Sequence, residues 1–284
     1  MTRAFESLVS TEWLANRLGT PDLVVFDASK HLPAAGRDPR ADFEAGHIPG
    51  ARFLDLTTLS DKTSSVPAAL PRPEQVAERL ADLGAAPNAH FVLYDDSAIR
   101  SSARAWFTLT QCGVRKVSVL DGGLAKWRDE GRALDSHFSH ISASEPAALS
   151  EPSNVAFKHE MLANIETRLE QVLDARAADR VFGAGIDPVH GGQNGRIPDS
   201  LNLPFGKVFA ENGTYKSAGE LRALFTSAGV DLERPLVTTC GSGMTASVLL
   251  FAAHLAGKDD VRLYDGSWQE WEADPDTPKE QGPA

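Results

Sequence analysis

One short stretch of the chain combines a nucleophile with a backbone suited to holding negative charge. Cys240 begins the run Cys240-Gly241-Ser242-Gly243-Met244-Thr245, which separates an apolar segment at 235–239 from a helical segment starting near Ala246. Two glycines in four positions let the backbone adopt positive φ angles, so that its N–H groups can converge on an anion. The helix that follows adds the positive end of its dipole. Because the same groups stabilise a thiolate, we expect Cys240 to be a reactive nucleophile.

The five residues after Cys240 are the predicted ligands of a small anionic substrate. They are Gly241, Ser242, Gly243, Met244 and Thr245. All five offer backbone N–H groups, and Ser242 and Thr245 also offer hydroxyls. Thr245 in addition stands where a side chain caps the helix.

Other cysteine chemistries need residues that this run lacks. A phosphatase loop needs an arginine six positions after the cysteine to grip phosphate, and that position is Ala246. A dithiol oxidoreductase needs a nearby second cysteine, but the other cysteine is Cys112. A cysteine hydrolase needs a histidine base, and the sequence alone places none of the eight histidines there. The remaining alternatives are single-thiol chemistry and a non-catalytic module that binds an anion or a protein, with Cys240 structural.

One pattern occurs twice along the chain. The matched landmarks are Leu23–Ala28 with Gln171–Arg176, His47–Ala51 with Arg196–Ser200, Phe91–Asp95 with Leu236–Cys240, and Asp121–Trp127 with Asp265–Trp271. From Asp27 to Asp95 is 68 positions, and from Asp174 to Cys240 is 66. Landmarks that agree in order and spacing predict two copies of one domain.

The repeat predicts the division of the chain. We expect a non-catalytic domain at 1–135, a serine- and proline-containing linker at 136–155, a catalytic domain at 156–275 and a flexible tail at 276–284. The first copy has Asp95 where the second has Cys240, and it lacks the glycines of the second loop. The chemistry is therefore expected in the second copy.

Short apolar runs alternate with helical segments in both copies. Helices are predicted at 73–83, 101–112, 218–228 and 246–256, and strands at 117–120 and 261–264 among others. This alternation predicts an α/β fold in which each domain is a mainly parallel sheet flanked by helices. Ligands of such sheets bind beyond the carboxyl ends of the strands, which is where Cys240 is expected.

Composition excludes several function classes. The net charge of −11 argues against nucleic acid and anionic membranes as partners, because phosphate binding needs a basic face. No apolar run is long enough to span a bilayer, and the first residues do not resemble a secretion signal. Two cysteines make neither a disulfide framework nor a four-cysteine zinc site, and no metal or nucleotide motif appears. We expect a cytoplasmic protein without a cofactor.

The doubled domain and its motifs resemble a known family, the tandem rhodaneses. The likeness rests on His47–Ala51, Leu120–Gly123, Tyr264–Trp268 and the Cys-Gly-Ser-Gly-x-Thr loop, and it is nearest to the 3-mercaptopyruvate sulfurtransferase branch. The resemblance implies that the Cys240 thiolate takes sulfur from a small anionic donor as a persulfide. An acceptor, either cyanide or a thiol such as thioredoxin, then removes it. It also implies that Arg180 binds the donor's anionic group.

The chain departs from that branch at several positions. Val189, with His190 beside it, stands where the branch has a second substrate arginine, and Thr57 and Ala68 replace an acidic residue and a histidine. Thiosulfate enzymes have arginine and lysine where this chain has Gly241 and Ser242. The favoured donor is 3-mercaptopyruvate, with thiosulfate as the second candidate. We expect His190 and Arg196 to be solvated loop residues.

Overall fold

The computed structural model describes residues 6–86, 88–137 and 141–282. The chain divides into two compact units. Unit 1 comprises residues 1–60, 70–152 and 210–215, and unit 2 comprises 61–69, 153–209 and 216–284. The predicted linker, 136–155, contains one of the points at which the chain passes from unit 1 to unit 2, between residues 152 and 153. The assignment of 61–69 and 210–215 was not foreseen from the repeat.

Unit 1 is a parallel five-stranded sheet with helices in its connections. Its strands are β1 (Leu8–Val9), β2 (Leu23–Asp27), β3 (Arg52–Phe53), β4 (His90–Tyr94) and β5 (Val117–Leu120). Its helices are α1 (Thr11–Ala15), α2 (Pro39–Ala45), α3 (Pro73–Asp82), α4 (Ser102–Gln111) and α5 (Gly123–Asp129), with a 3-10 turn at Pro33–Ala35. The strand order is β1-β5-β4-β2-β3.

Unit 2 repeats this arrangement element by element. Its strands are β6 (Val155–Ala156), β7 (Gln171–Asp174), β8 (Leu201–Asn202), β9 (Leu236–Thr239) and β10 (Val261–Tyr264). Its helices are α6 (Lys158–Thr167), α7 (Ala178–Phe182), α8 (Ala218–Ser227), α9 (Ala246–Leu255) and α10 (Ser267–Ala273), with a 3-10 turn at Phe205–Val208. The strand order is β6-β10-β9-β7-β8, and every strand pair in both sheets is parallel. The predicted α/β fold class is confirmed.

The two elements that flank the Cys240 loop, β9 and α9, are buried. All four residues of β9 are buried, as expected for an inner strand covered on both faces. Helix α9 is apolar nearly all round, and its first eight residues are buried. The loop that joins them, which begins at Cys240, is therefore supported at both ends by core elements.

Aromatic residues of α10 fix that helix in the core of unit 2. Trp268 and Trp271 pack with Tyr264, Val237 and Met161 in one buried cluster. Burial of large aromatic side chains is among the strongest contributions to packing, so the start of α10 is held firmly beside the end of β10.

The segment predicted to be a flexible tail makes regular contacts with unit 2. Trp271 Nε1 donates to the carbonyl of Pro278 at 2.8 Å, and Arg196 and Glu280 exchange backbone hydrogen bonds of 2.9 and 3.0 Å. A buried indole needs an acceptor, and the returning chain supplies one. Within the described residues, no helix has the length and apolarity that crossing a membrane requires.

Candidate active site

Cys240 directly follows β9, at the carboxyl end of an inner strand. Cys240 is 1% exposed, so its sulfur lies among loop and core atoms rather than at the surface. This is the edge of the sheet at which parallel α/β folds bind ligands. The position agrees with the sequence expectation, and the groups around it decide what the sulfur can do.

The hydroxyl of Ser267 anchors the Cys240 loop. Its Oγ accepts hydrogen bonds from the N–H groups of Cys240 (3.2 Å) and Gly243 (3.0 Å) and donates to the carbonyl of Tyr264 (2.8 Å). Ser267 is fully buried and has φ of +50°, in the left-handed region. Sequence reasoning treated Ser267 only as a landmark of the repeat and missed this role.

The first N–H groups of α10 bind the carbonyls of the same loop. The N–H of Trp268 donates to the carbonyl of Cys240, and that of Gln269 donates to the carbonyl of Gly241, both at 2.9 Å. The opening N–H groups of a helix have no partner within the helix, so these bonds satisfy α10 and the loop together. These two carbonyls accept from α10 and not from the N–H groups of their own loop.

Four N–H groups of the loop remain without a protein acceptor. Among the described residues, those of Gly241, Ser242, Met244 and Thr245 donate to no other group. Sequence reasoning expected Gly243 to join them, but its N–H is engaged by Ser267. The contribution of Gly243 is instead its φ of +77°, which an L side chain rarely adopts. Four N–H groups without an acceptor, all within five residues of Cys240, are the donors that an anion-binding nest requires.

The side chains of the loop behave differently from one another. Thr245 occupies the N-cap position of α9, but its hydroxyl makes no capping bond, contrary to expectation. Ser247 Oγ instead donates to the carbonyl of Gly243 at 3.0 Å. The hydroxyls of Ser242 and Thr245 hydrogen bond to no other described residue and are available to a ligand. Met244 is buried, so its side chain packs in the interior, while its N–H has no acceptor among the described residues.

The corresponding loop of unit 1 contains an anion of its own. The carboxylate of Asp95, which stands where unit 2 has Cys240, accepts from the N–H groups of Ser97 (3.0 Å) and Ser102 (2.9 Å). The same position therefore serves as an internal acceptor in one copy and as a thiol in the other. That the first copy is non-catalytic stays a prediction from the sequence.

Arg180 is placed by a carboxylate that sequence reasoning did not identify. Its Nε and Nη2 atoms contact the carboxylate of Asp187 at 3.1 and 2.7 Å, leaving Nη1 without a partner among the described residues. The Asp187 side chain is fully buried, and burial raises its pKa. Hydrogen bonds from Arg180 and from the N–H of Val189 outweigh that effect and leave the pKa of Asp187 below its usual value. The predicted anion clamp thus retains one free nitrogen, and its charge is balanced by Asp187.

A second buried arginine, Arg176, joins this network. It forms a bidentate ion pair with Asp174, and its guanidinium lies 4.7 Å above the ring of Trp268. Its Nη1 is 3.7 Å from the carboxylate of Asp187. Arg176 therefore braces both Trp268, whose N–H holds the carbonyl of Cys240, and the carboxylate that holds Arg180. No motif distinguished it in the sequence.

The structure corrects the expectations for two other residues of this region. His190 is half-buried rather than solvated, and a Cβ atom on Gly241 would lie 1.9 Å from its Nε2. Arg196 is engaged in an ion pair with Glu280 at 3.0 Å and lies over the ring of Phe182. His190 is thus a neighbour of the Cys240 loop, while Arg196 holds the C-terminal segment.

The site has the means to carry negative charge on sulfur without a metal ion. No group of three or more histidine, cysteine, aspartate and glutamate side chains suited to a metal is present in the part of the chain described. The loop supplies four unengaged N–H groups and two hydroxyls. An arginine nitrogen, Nη1 of Arg180, and the imidazole of His190 belong to the same unit. Such a set can bind a small anion and stabilise a sulfur anion.

Known proteins are similar to this chain over most of its length. The family model of the rhodanese-like domain matches residues 10–130 and 157–274. The chain is 41% identical to 3-mercaptopyruvate sulfurtransferase of Mus musculus over 94% of this chain and 92% of that protein. It is 37% identical to thiosulfate sulfurtransferase of Cricetulus griseus over 98% of this chain and 96% of that protein.

Solved structures agree with the sequence relatives. The crystal structure of SseA from Escherichia coli, a 3-mercaptopyruvate sulfotransferase, matches with a TM-score of 0.84 and 36% identity, covering 93% of this chain and 99% of that chain. Both segments of the family model fall on the two repeated sheets. The chain therefore belongs to the rhodanese-like domain family and carries that domain twice.

Proposed function

We propose that this protein is a sulfurtransferase that moves a sulfur atom from a small anionic donor to an acceptor through a persulfide on Cys240. The observation that carries the proposal is the set of four N–H groups of the Cys240 loop, at 241, 242, 244 and 245, that have no acceptor within the described part of the chain. Such a nest can stabilise the thiolate before sulfur transfer and the persulfide anion after it. Unit 1 supplies a non-catalytic copy of the same scaffold.

The first half-reaction loads the cysteine. The thiolate of Cys240 attacks the sulfur of 3-mercaptopyruvate, the sulfur–carbon bond breaks, and the thiol proton of the donor ends on the carbon to give pyruvate. With thiosulfate the sulfur–sulfur bond breaks and sulfite leaves. In both cases one thiolate becomes one persulfide anion, so charge is conserved and the loop amides stabilise a similar anion throughout.

In the second half-reaction an acceptor removes the outer sulfur from Cys240. Cyanide takes the outer sulfur as thiocyanate and regenerates the thiolate. A dithiol acceptor such as thioredoxin does the same while becoming a disulfide and releasing hydrogen sulfide. The choice of acceptor, like the cytoplasmic location, stays a prediction from the sequence.

The donor preference rests on the loop and on the relatives. Gly241 and Ser242 leave no cationic side chain directly after Cys240, which favours 3-mercaptopyruvate as in the branch that the sequence resembles. The mouse relative carries that donor in its name, whereas the Cricetulus griseus relative is named for thiosulfate. Arg180 offers one nitrogen to the anionic group of either donor, so the order, 3-mercaptopyruvate first and thiosulfate second, rests on the loop and the relatives.

The test compares the two cysteines of the chain. The purified protein is incubated with each donor and cyanide, thiocyanate is measured, and mass spectrometry follows the gain of one sulfur, about 32 Da, on Cys240. We expect Cys240→Ser to lose thiocyanate formation entirely. Cys112→Ser is the matched control, because Cys112 is equally buried and burial raises its pKa to about 11.

The alternative is a non-catalytic module that binds an anion or a protein, in which the buried Cys240 is structural. It predicts anion binding without loading of sulfur. If the wild type gains no mass with either donor, or if Cys240→Ser forms thiocyanate at the wild-type rate, the sulfurtransferase proposal is wrong.

A further inference from the structure

The imidazole of His190 lies against the residue that follows Cys240. If Gly241 carried a Cβ atom, that atom would be 1.9 Å from Nε2 and 2.3 Å from Cδ2 of His190. A real Cβ atom does not come this close to an atom to which it is not bonded, so the imidazole occupies the space that a side chain at 241 would need. His190 therefore forms part of the wall of the Cys240 loop.

The backbone around His190 is held in place by Asp187. The carboxylate of Asp187 accepts from the N–H of Val189 (2.8 Å) and of His190 (3.3 Å). Its own carbonyl accepts from Gly191 (2.9 Å), and its N–H donates to the carbonyl of Gly192 (2.6 Å). A loop tied by four hydrogen bonds to one residue presents its side chain in a defined position.

The ring nitrogens of His190 have no hydrogen-bond partner among the described residues and are available to a ligand. The imidazole is half-buried. The charged groups acting on it are Arg180, Asp187 and Arg176. Burial first, and then the charge of Arg180, lower the pKa of His190, so the ring is neutral at neutral pH and offers a hydrogen bond rather than a cation.

We propose that His190 is a donor-binding residue that hydrogen bonds the anionic end of the sulfur donor beside the free Nη1 of Arg180, and that residue 241 is glycine to admit this imidazole. The proposal rests on the sulfurtransferase function proposed above. It assigns the donor site one fixed cation and one neutral hydrogen-bond donor, on the loop where Val189 leaves no second cation.

The first test separates donor binding from the rest of the reaction. We expect His190→Ala to raise the KM for 3-mercaptopyruvate about threefold to tenfold, the value of one hydrogen bond, with kcat within about twofold. His190→Gln, which places an amide nitrogen near Nε2, should recover most of that loss. The rate at which cyanide removes sulfur from the preloaded enzyme should be unchanged in both variants, a result that general damage to the loop would not give.

The second test uses the two glycines of the loop. Gly241 has no positive φ, so we expect Gly241→Ala to lower kcat/KM about tenfold only because of the imidazole, and by less than about twofold in the His190→Ala background. Gly243→Ala is the matched control. Because Gly243 has φ of +77°, its substitution should be equally damaging in both backgrounds.

The outcomes are distinct. A wild type that gains no sulfur from either donor overturns the proposed function and this inference with it. A wild type that loads sulfur, together with an unchanged KM in His190→Ala, overturns the role of His190 alone. Equal losses from Gly241→Ala in the two backgrounds overturn it as well.

Discussion

The hydroxyl of Ser267 is the feature of the site whose removal can be predicted most closely. In Ser267→Ala the N–H groups of Cys240 and Gly243 lose the acceptor that holds them at 3.2 and 3.0 Å. The carbonyl of Tyr264 loses its donor as well. The residue is fully buried, so water does not simply replace the hydroxyl.

The expected loss of stability follows from those bonds. A buried polar group without a partner costs about 1–3 kcal/mol, and two N–H groups are affected, so we expect about 2–4 kcal/mol after the loop relaxes. Ser267→Gly removes the same hydroxyl but suits the φ of +50° that serine adopts here. We therefore expect Ser267→Gly to be more stable than Ser267→Ala by about 1 kcal/mol.

The expected loss of activity has a different cause. Ser267 fixes the direction of the loop in which Cys240 lies, and a displacement of about 1 Å at a reacting group can lower the rate about 100-fold. We expect kcat/KM for thiocyanate formation to fall at least about tenfold in both Ser267 variants, because glycine restores the backbone geometry without restoring the anchor.

Ser118→Ala is the matched control. Ser118 is also a fully buried serine that donates to a carbonyl, that of Glu6, but it belongs to β5 of unit 1. We expect urea unfolding to show a loss of stability without a change in kcat/KM. If Ser267→Ala keeps the wild-type kcat/KM, the loop does not depend on this anchor and the argument is refuted.

Two further predictions concern buried charge. Burial raises the pKa of Asp27 from 3.8 to about 6, so the folded chain binds this proton more tightly than the unfolded chain. Stability should then fall by up to about 3 kcal/mol as pH rises through that window, and urea unfolding at several pH values should show a smaller fall in Asp27→Asn. In Arg180→Lys, an ammonium cannot replace the bidentate contact with Asp187 or supply the free Nη1. We expect a rise of about tenfold in donor KM and a lower urea midpoint, and an unchanged KM would contradict the clamp.

Local pattern and the repeat were enough to predict the fold. Helix α9 was expected at 246–256 and spans Ala246–Leu255, and the helix expected at 218–228 spans Ala218–Ser227. The parallel sheets follow from the alternation of strands and helices, because parallel neighbours need a crossover. Short-range information also placed Cys240 at the end of a strand.

The partners of the site residues could not be predicted in the same way. The hydroxyl of Ser267 reaches N–H groups 24 and 27 positions earlier, and Asp187 holds Arg180 across a loop with no regular structure. Such contacts depend on how loops close, which periodicity does not encode. The signal available in the sequence was a difference within the repeat, since serine stands at 267 where the first copy has Gly123.

That difference accounts for the different hydrogen bonding of the two loops. Both copies keep the bond from the opening helix N–H to the loop carbonyl, Leu124 to Asp95 at 3.0 Å and Trp268 to Cys240 at 2.9 Å. Gly123 has φ of +58°, close to that of Ser267, but a Cβ atom there would lie 2.5 Å from the carbonyl oxygen of Asp95. The first copy therefore has no room for a serine anchor, and its own carboxylate takes the loop amides instead.

The second copy exchanges that internal anion for support from outside the loop. Because a hydroxyl from α10 holds the N–H groups of Cys240 and Gly243, the sulfur does not have to satisfy them, and four other loop amides have no acceptor in the part of the chain that the structure describes. In the proposed reaction, the negative charge that arrives with the sulfur donor and remains on the persulfide can then be stabilised by loop N–H groups already in position. A cysteine placed at 95 would lack the anchor that Ser267 gives to the second loop, so we expect the proposed reactivity to need Cys240 and Ser267 together.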